Sequence, residues 1–270
     1  MTAFTANRAD HARGPSRRLT SLAAVLPARN EEGNIEAAVL ETWHEVERLA
    51  ERAEIIVVDD GSSDRTAALV EALEGQVPSL RLVRHAHARG YGAAVRSGFA
   101  AANSEWLFFT DADRQFDVGE LEQLVALSDD NDVVAGIRAR RRDPAHRRLM
   151  ARMWNRLIAL TLGVRLRDLN CAFKLLRAEV VRSLDLSTDG SAFGAELALA
   201  LEHRGARIAQ LPVSHRPRTW GRQTGGDPAV ILRALADYWR LLARFRGGRL
   251  APSRAALEGG QPRASGDEAR

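Results

Sequence analysis

The sequence predicts a Rossmann-like α/β fold, in which a mostly parallel sheet flanked by helices forms a single domain. The first observation is that apolar, strand-like segments alternate with segments of helical periodicity, which implies right-handed crossovers between parallel strands. The second is that the strand-like segments are apolar almost without interruption, as expected for strands buried on both faces. The third is the length of 270 residues with 45% hydrophobic content, which is enough for one α/β domain with a sizeable core.

Five strands and four helices are predicted in the first half of the chain. The predicted strands are 22–27, 54–59, 80–83, 105–110 and 132–136, and the helices between them cover about 35–52, 67–73, 90–102 and 119–127. Proline at position 27 is expected to end the first strand, because proline cannot donate to a strand ladder. The polar turn from Asp60 to Thr66 can cap the second helix, with Asp64 as the capping side chain.

The second half of the chain departs from this regular alternation. A strongly basic loop is predicted at 138–148, followed by a helix at 150–162, an extended segment at 169–176, a helix at 191–203, a strand at 206–213 and an amphipathic helix from 227 to about 245. Residues 1–20 are polar and arginine-rich, and residues 247–270 are rich in Gly, Pro, Ser and charge. We therefore expect a disordered arm over 1–20, one folded domain over 21–246 and a disordered tail over 247–270.

Composition indicates a compartment but identifies no partner. The net charge is +4 and nearly all basic residues are arginine. This bias alone does not indicate a partner, and we expect no nucleic-acid ligand. The single cysteine, Cys171, excludes an internal disulfide and favours a reducing compartment. The N-terminus lacks the apolar core of a signal peptide, and no apolar stretch is long enough to span a membrane. We therefore expect a cytoplasmic protein, either soluble or peripheral at the inner face of the cell membrane.

Two acids, Asp111 and Asp113, directly follow a strongly apolar predicted strand. In open α/β sheets, ligands bind outside the carboxyl ends of the strands, and two carboxylates there suit a divalent cation that also binds substrate phosphates. A solvated turn is an alternative that would use the same acids without a ligand. A calcium loop of the EF-hand type is excluded, because it needs glycine where Phe116 stands and a helix where the strand precedes it.

Polar or glycine-containing segments also occur near the ends of three other predicted strands. Residues 27–31 follow the first strand, Asp59 and Asp60 follow the second, and Gly90 and Gly92 lie at the start of the third helix. An acid at the end of the second strand of a nucleotide-binding sheet commonly accepts hydrogen bonds from a ribose or a base. The glycines allow close approach of the backbone to a ligand, and the helix N-terminus favours an anion. A dehydrogenase is excluded, because its glycine fingerprint follows the first strand and contains a third glycine.

Taken together, these segments resemble the signature of a known family. The ordered segments PARNEE (27–32), VVDDGSSD (57–64), GYGAA (90–94) and DAD (111–113) are similar to those of family 2 glycosyltransferases with the GT-A fold, and the likeness extends over roughly residues 20–240. The segments DLNCAFKL (168–175) and HRPRTWG (215–221), with Glu196, resemble the dolichyl-phosphate mannose synthase and polyprenyl-phosphate glycosyltransferase group. The resemblance implies a metal-dependent enzyme that transfers a hexose with inversion at the anomeric carbon.

The resemblance also implies a nucleotide-sugar half over about 21–137 and an acceptor half over about 138–246. The donor would be a UDP- or GDP-sugar, and its Mg²⁺ or Mn²⁺ would be held by Asp111 and Asp113, with Gln115 as a third ligand. The implied donor-binding residues are Pro27, Arg29, Glu31, Asp59, Asp60, Gly90, Gly92, Asp111 and Arg218. A cation suits this chemistry because it neutralises the charge that grows on the departing diphosphate without transferring a proton.

For the acceptor, the resemblance implies a polyprenyl phosphate at the cytoplasmic face of the membrane. Arg138 and Arg147 occupy the places that bind the acceptor phosphate, whose own oxyanion is the nucleophile. The chain departs from the pattern at Ala151, where a serine is expected. The alternative acceptor is the hydroxyl of a soluble sugar, a small molecule or a protein, for which Glu196 or Asp189 would act as the base.

Some of these features also have structural interpretations. The arginines of the basic loop would equally form a solvated face, and Glu196 would equally be a surface acid of its helix. The helix from 227 would either lie on a membrane surface with its apolar face down or pack against the domain.

Overall fold

A single seven-stranded sheet organises the fold of the computed structural model, which describes residues 17–139, 145–221 and 228–247. The strands are β1 Leu19–Ala28, β2 Ala50–Asp59, β3 Leu80–Arg84, β4 Trp106–Thr110, β5 Val133–Ala139, β6 Phe173–Arg177 and β7 Ile208–Ser214. The helices are α1 Ile35–Leu49, α2 Thr66–Leu73, α3 Tyr91–Ala101, α4 Leu121–Ala126, α5 Ala145–Leu162, α6 Ala178–Arg182, α7 Phe193–His203 and α8 Pro228–Arg246. The strand order is β3-β2-β1-β4-β6-β5-β7, and all strands except β6 run parallel. The predicted α/β fold with a mostly parallel sheet is confirmed.

The central strands are buried on both faces, as their apolar sequences predict. Every residue of β4 is buried, and Phe108 in this strand is inaccessible to solvent. Its ring packs edge-to-face against Phe173 of β6, with the ring centroids 4.8 Å apart. Burial of each such side chain contributes roughly 2–3 kcal/mol. The strand that leads into Asp111 is therefore fixed by the best-buried part of the core.

The extended segment predicted at 169–176 contains strand β6, which runs antiparallel between β4 and β5. A pattern of alternating strands and helices predicts parallel neighbours, so this reversal is not visible in the sequence. Its consequence is local: Phe173, at the start of β6, pairs with Thr110, at the end of β4. The residues just before β6, including Asp168, therefore lie at the edge of the sheet where the parallel strands end.

The first strand differs from its predicted bounds at both ends. It begins inside the predicted disordered arm, because Leu19 is buried and pairs with Ala50 at the start of β2. It also continues past Pro27. The backbone N–H of Asp60 donates to the carbonyl oxygen of Ala28, so the polar backbone groups of Ala28 face β2. Those of the preceding residue, Pro27, face the opposite neighbour, β4, whose pairing with β1 ends at Val25. The missing N–H of the proline therefore removes no ladder hydrogen bond.

Other boundaries differ for similar reasons. Helix α1 ends at residue 49, not near 52, because β2 starts directly after it, and α5 begins at Ala145, within the predicted basic loop. Helix α6 was not predicted, because five residues are too few to show a helical period. The N-cap of α2 is Arg65, one residue after the predicted Asp64, and its side chain makes no cap hydrogen bond. Asp64 still binds the helix start, since its Oδ1 accepts a hydrogen bond from the backbone nitrogen of Thr66 at 2.9 Å.

Several sequence predictions fall on residues that the structure does not describe. These are positions 1–16 of the arm, 140–144 of the basic loop, the predicted first residue of the last helix at 227, and the tail from 248. Within the described residues, none of the helices has the length and apolar content needed to cross a membrane.

The packing of α3 on β1 is testable at Gly98. A Cβ atom at this position would collide with the side chain of Val25, which is fully buried in β1. We expect Gly98→Val to lower the free energy of unfolding in urea by about 2 kcal/mol, because overpacking a core typically costs about 1–3 kcal/mol. Gly75→Val is the matched control: nothing lies within 4 Å of a Cβ placed at Gly75, and its effect should stay below about 0.5 kcal/mol. Equal stabilities of the two variants would contradict this contact.

Candidate active site

Six parallel strands end at one edge of the sheet, and most of the polar residues of the candidate site lie there. Ala28 of β1 pairs with Asp59 of β2, which pairs with Arg84 of β3. Asp111 follows the last residue of β4 directly. Because neighbouring strands lie only about 4.8 Å apart, the loops that follow them bring their side chains together.

Asp111 and Asp113 form an acidic pair at this edge. Asp113 is buried, and its Oδ1 accepts a hydrogen bond from the backbone nitrogen of Gln115 at 3.1 Å. The hydroxyl of Tyr91, the first residue of α3, hydrogen-bonds to Asp111. Burial and the neighbouring Asp113 carboxylate raise the pKa of Asp111 to about 7, and burial raises the pKa of Asp113 as well. The protein therefore does not fully neutralise the negative charge of this pair.

One guanidinium, that of Arg218, bridges Asp113 and Glu31. Its Nη1 donates to Oδ2 of Asp113 at 3.2 Å, its Nη2 donates to Oε1 of Glu31, and its Nε donates to the carbonyl oxygen of Trp220 at 2.6 Å. Glu31 is buried too, and burial raises its pKa although Asn34 and Arg218 bind its carboxylate. The chain after β7 therefore folds back over the loop after β1.

Asp60 orders a loop of the protein itself. One carboxylate oxygen accepts a hydrogen bond from the backbone nitrogen of Arg89 at 2.8 Å and lies 2.7 Å from Nδ1 of His85. The other oxygen accepts from the backbone nitrogen of Gly90 at 2.8 Å. Both oxygens of this buried acid thus bind the loop that leads into α3, so the predicted donor contact of Asp60 is corrected to a structural role.

The two glycines at the start of α3 face protein backbone. Gly90 has a φ of +113°, and a Cβ atom there would collide with the carbonyl oxygen of Asp189; one at Gly92 would collide with that of Thr188. The backbone nitrogen of Gly92 donates to the carbonyl oxygen of Asp189 at 2.8 Å. The close approach predicted for a ligand is made instead by the loop before α7, which corrects the predicted donor contacts of Gly90 and Gly92.

Three further predicted donor residues lie at the ends of β1 and β2. Pro27 is buried in β1, and Arg29 is exposed just beyond it. Asp59 is buried, and its Oδ1 accepts a hydrogen bond from the backbone nitrogen of Ser62 at 3.0 Å. Its Oδ2 lies 3.9 Å from Nε of Arg84, too far for a hydrogen bond. This oxygen and the exposed Arg29 are the polar groups that this part of the edge could offer to a ligand.

Arg138, a predicted acceptor-binding residue, is paired with a carboxylate of its own domain. Its Nε and Nη2 donate to the two oxygens of Asp168 at 2.8 and 2.6 Å. Against the effect of burial, this guanidinium holds the pKa of Asp168 below its usual value. The pair neutralises the charge that was predicted to bind a phosphate. The side chain of Arg147, its predicted companion, lies outside the described residues.

The burial and contacts of Glu196 argue against its predicted role as a catalytic base. Its carboxylate is fully buried and accepts hydrogen bonds from the backbone nitrogens of Ser187 at 3.1 Å and Thr188 at 2.7 Å. The Ser187 hydroxyl donates at 3.2 Å, and Nη1 of Arg244 donates at 2.5 Å. In this structure, a carboxylate with these partners and no solvent access offers no oxygen that a substrate can reach. Glu196 instead fixes the loop before α7 and anchors α8.

The sequence profile of Glycosyl transferase family 2 matches residues 23–185, which is more than half of the chain. The chain belongs to family 2 of the glycosyltransferases. The matched range of this glycosyltransferase includes Glu31, Asp59, Asp111 and Asp113 and ends before Arg218. The predicted family and the prediction of an enzyme are thereby confirmed.

Solved structures of glucosyl-3-phosphoglycerate synthase from Mycobacterium tuberculosis are similar in fold to this glycosyltransferase. Its complex with Mn²⁺, UDP and glucosyl-3-phosphoglycerate has a TM-score of 0.65 at 22% identity, over 83% of this chain and 80% of that one. Its complex with phosphoglyceric acid has the same TM-score and coverage at 24% identity. At this identity the likeness establishes the GT-A fold alone, which agrees with the predicted fold. The closer assignment to the dolichyl-phosphate mannose synthase group receives no support from these comparisons.

The acids of the glycosyltransferase suit a divalent cation. Asp111 and Asp113 offer carboxylate oxygens, the ligands that Mg²⁺ and Mn²⁺ prefer. Within the described residues, no group of three or more His, Cys, Asp and Glu side chains forms a complete metal site. Gln115 donates its Nε2 to the carbonyl oxygen of Arg216 at 2.9 Å, so only its amide oxygen is suited to a metal. A cation here would take its remaining ligands from substrate phosphates and water, as Mg²⁺ usually does.

Two residues of the site were not assigned a role from the sequence. Tyr91 binds Asp111, and burial together with that acid raises the pKa of its hydroxyl well above the usual value. Asp168 neutralises Arg138. The sequence did contain a signal for Tyr91, because a tyrosine between two glycines at the start of a helix lies at the edge where the site was predicted. The partner of Arg138 had no such signal, because its position depends on the antiparallel course of β6.

The raised pKa of Asp111 makes the stability of the metal-free protein depend on pH. Folding raises this pKa from 3.8 to about 7, so the stability that the group contributes is present below about pH 4 and is lost as the pH rises towards 7. In EDTA at pH 8, we expect Asp111→Asn to raise the Tm by roughly 3 °C, which is about 1 kcal/mol for a domain of this size, and to raise it less at pH 5. Scanning fluorimetry measures both, with the exposed Asp130→Asn as the unchanged control. A variant less stable than wild type at pH 8 would contradict the buried charge.

The structural role of Glu196 predicts a loss of stability. We expect Glu196→Ala to lower the free energy of unfolding by roughly 3 kcal/mol, because the half-buried Arg244 and two backbone amides would lose an acceptor. Glu74→Ala, which removes an exposed acid, should be within about 0.5 kcal/mol of wild type. Glu196→Gln, assayed per folded molecule, should keep the pH profile of activity. Loss of the acidic limb of that profile would restore Glu196 as the base, because a general base must be deprotonated to act.

Proposed function

We propose that this glycosyltransferase transfers a hexose from a UDP-sugar to the hydroxyl of a small soluble acceptor that carries a phosphate, with Mn²⁺ or Mg²⁺ bound. The observation that supports the proposal is the incompletely neutralised acidic pair, Asp111 and Asp113, at the strand ends of a family 2 fold. These acids would repel a nucleoside diphosphate that arrived alone. A divalent cation between them and the diphosphate reverses that repulsion.

The donor would lie along the ends of β1, β2 and β4. When bound, the cation neutralises the charge that develops on the departing diphosphate. Asp111 and Asp113 would hold it, and the Tyr91 hydroxyl would fix the orientation of the first of these carboxylates. Asp59 would accept hydrogen bonds from the base or ribose, and Arg29 would attract the anionic donor. The acceptor oxygen would approach opposite the departing diphosphate, so the configuration at the anomeric carbon would invert.

A soluble phosphorylated acceptor is supported by the structural neighbours. Glucosyl-3-phosphoglycerate synthase is seen in complexes with Mn²⁺, UDP-glucose and either glycerol 3-phosphate or phosphoglyceric acid. Those ligands support the soluble alternative better than the predicted polyprenyl phosphate. The pairing of Arg138 with Asp168 also removes one of the two charges on which the lipid acceptor was predicted.

A hydroxyl acceptor must lose its proton during transfer. With Glu196 buried, Asp189 is the remaining candidate for the base. Its side chain is 60% exposed, and its backbone carbonyl contacts Gly92 beside Tyr91. Nη2 of Arg96 holds the carboxylate at 2.5 Å, which fixes its orientation at the start of α3.

A polyprenyl phosphate is the second candidate acceptor, because two helices expose apolar side chains. Met153 and Leu160 of α5, and Leu232 and Trp239 of α8, are each more than 60% exposed. Exposed arginines alternate with them on both helices. A surface that combines large apolar groups with arginine suits the interface of an anionic membrane.

The proposal predicts the fate of a radiolabelled sugar. Incubated with UDP-[¹⁴C]glucose, Mn²⁺ and 3-phosphoglycerate, the full chain should produce a labelled product that stays in the aqueous phase. When membrane lipid is added to this mixture, no label should become extractable into organic solvent. Label that moves only into the organic phase would reject the soluble acceptor in favour of the polyprenyl phosphate.

The metal assignment has its own test in Asp113→Ala. We expect this change to reduce turnover by at least about 100-fold, because the charge on the departing diphosphate would no longer be neutralised. The Tm should stay near that of wild type, and Asp130→Ala should keep full activity. Unchanged turnover in Asp113→Ala would refute a metal held by this acid.

A further inference from the structure

We infer that Arg218 is an internal counter-ion of the metal site: it binds Asp113 in the metal-free enzyme and moves to the diphosphate when cation and nucleotide bind. This inference rests on the proposed function and concerns the order and coupling of ligand binding at the same site. It makes Arg218 a positioning residue that links the cation to the nucleotide.

The position of Arg218 is built into the segment 215–221, which we call the return segment. The side chain of Arg218 is only 16% exposed. The backbone turns around it, since Gly221 has a φ of +81° and a Cβ atom there would lie 2.8 Å from Nη2 of Arg218. The ring of Trp220 packs so closely on Gly33 that a Cβ atom there would collide with it. The guanidinium is therefore held at the acids by the fold of the segment.

Arg218 occupies an oxygen that a cation would need. Asp113 uses its Oδ1 for the backbone nitrogen of Gln115 at 3.1 Å and its Oδ2 for Nη1 of Arg218 at 3.2 Å. A divalent ion at Oδ2 would lie next to the positive guanidinium, and two cations at that distance repel each other. Binding of the metal to Asp113 therefore requires Arg218 to move.

The nucleotide supplies the place to which Arg218 can move. A guanidinium that leaves Asp113 and Glu31 needs another anion, and the planar fork of arginine matches two phosphate oxygens. The cation then neutralises Asp113, and the diphosphate neutralises Arg218. The cation alone would leave Arg218 with Glu31 as its one carboxylate partner, and the diphosphate alone would draw Arg218 away and leave Asp113 without a counter-ion. The two ligands should therefore bind more tightly together than separately. Thermodynamic linkage makes this coupling reciprocal.

The exposed neighbour Arg216 provides a matched control. It lies in the same return segment and carries the same charge, but its Nη2 pairs with Asp117 at 2.5 Å and not with Asp113. A general loss of positive charge near the site would affect both arginines. Competition for Asp113 affects Arg218 alone.

The test measures Mn²⁺ affinity of the full chain at pH 8 from the electron paramagnetic resonance signal of free Mn²⁺, with and without UDP. We expect R218A and R218Q to bind Mn²⁺ alone about tenfold more tightly than wild type. UDP should then improve Mn²⁺ affinity by about tenfold less than it does in wild type, within the usual range of coupling between linked sites. R216A should match wild type in both measurements. R218Q retains a donor for Glu31 and supports the test if R218A does not fold.

The outcomes separate the inference from the proposed function. Mn²⁺ affinity in R218A and R218Q that equals or falls below that of wild type would overturn the inference, while UDP-dependent Mn²⁺ binding would leave the proposed function intact. Equal tightening in R216A would also overturn it, because the effect would then be one of general charge. Wild type that binds no Mn²⁺ even with UDP would overturn both.

Discussion

Negative charge buried at the carboxyl edge of the sheet is the constraint on which the site depends. An ionised carboxylate removed from water costs several kcal/mol unless the protein supplies partners, and Glu31, Asp59, Asp60 and Asp113 are among the almost fully buried acids at this edge. Their partners are of two kinds. Asp60 accepts backbone N–H groups, Asp59 accepts one, and Glu31 and Asp113 share a single arginine. Asp111, Asp113 and Glu31 outnumber the single arginine that binds two of them, and this excess of negative charge suits a cation.

The sheet topology explains why these acids meet. Parallel strands place their carboxyl ends side by side, so residues from distant parts of the chain become neighbours: Ala28 pairs with Asp59, and Val25 pairs with Phe109. The antiparallel β6 adds residues from the other half of the domain, because its start, not its end, lies at this edge. The return segment adds Arg218 from beyond β7. The first and second halves of the domain are therefore connected by ionic contacts as well as by the sheet.

The sequence was sufficient to predict what depends on local pattern. The alternation of strands and helices predicted the fold, and the acids at the end of β4 were identified from their place after an apolar strand. What the sequence did not contain was the choice of partners. Glu196 has the pattern of a surface acid, yet it is fully buried, because Arg244 reaches it from 48 residues away. Gly90 was expected to face a ligand and faces Asp189 instead. Such contacts depend on how the loops pack against the sheet, and the local spacing of apolar residues in the sequence does not reveal them.

The ion pair between the buried Glu196 and the half-buried Arg244 also determines how strongly helix α8 is attached to the domain. Helix α8 packs on the domain through Tyr238, Leu241 and Leu242, but it also carries the cation that balances a carboxylate beneath the loop before α7. Detaching the helix would expose apolar surface and would also leave the buried carboxylate of Glu196 without its arginine partner. The final helix and the body of the enzyme should therefore melt as one cooperative unit, without a partly unfolded intermediate that retains the sheet and has lost the helix.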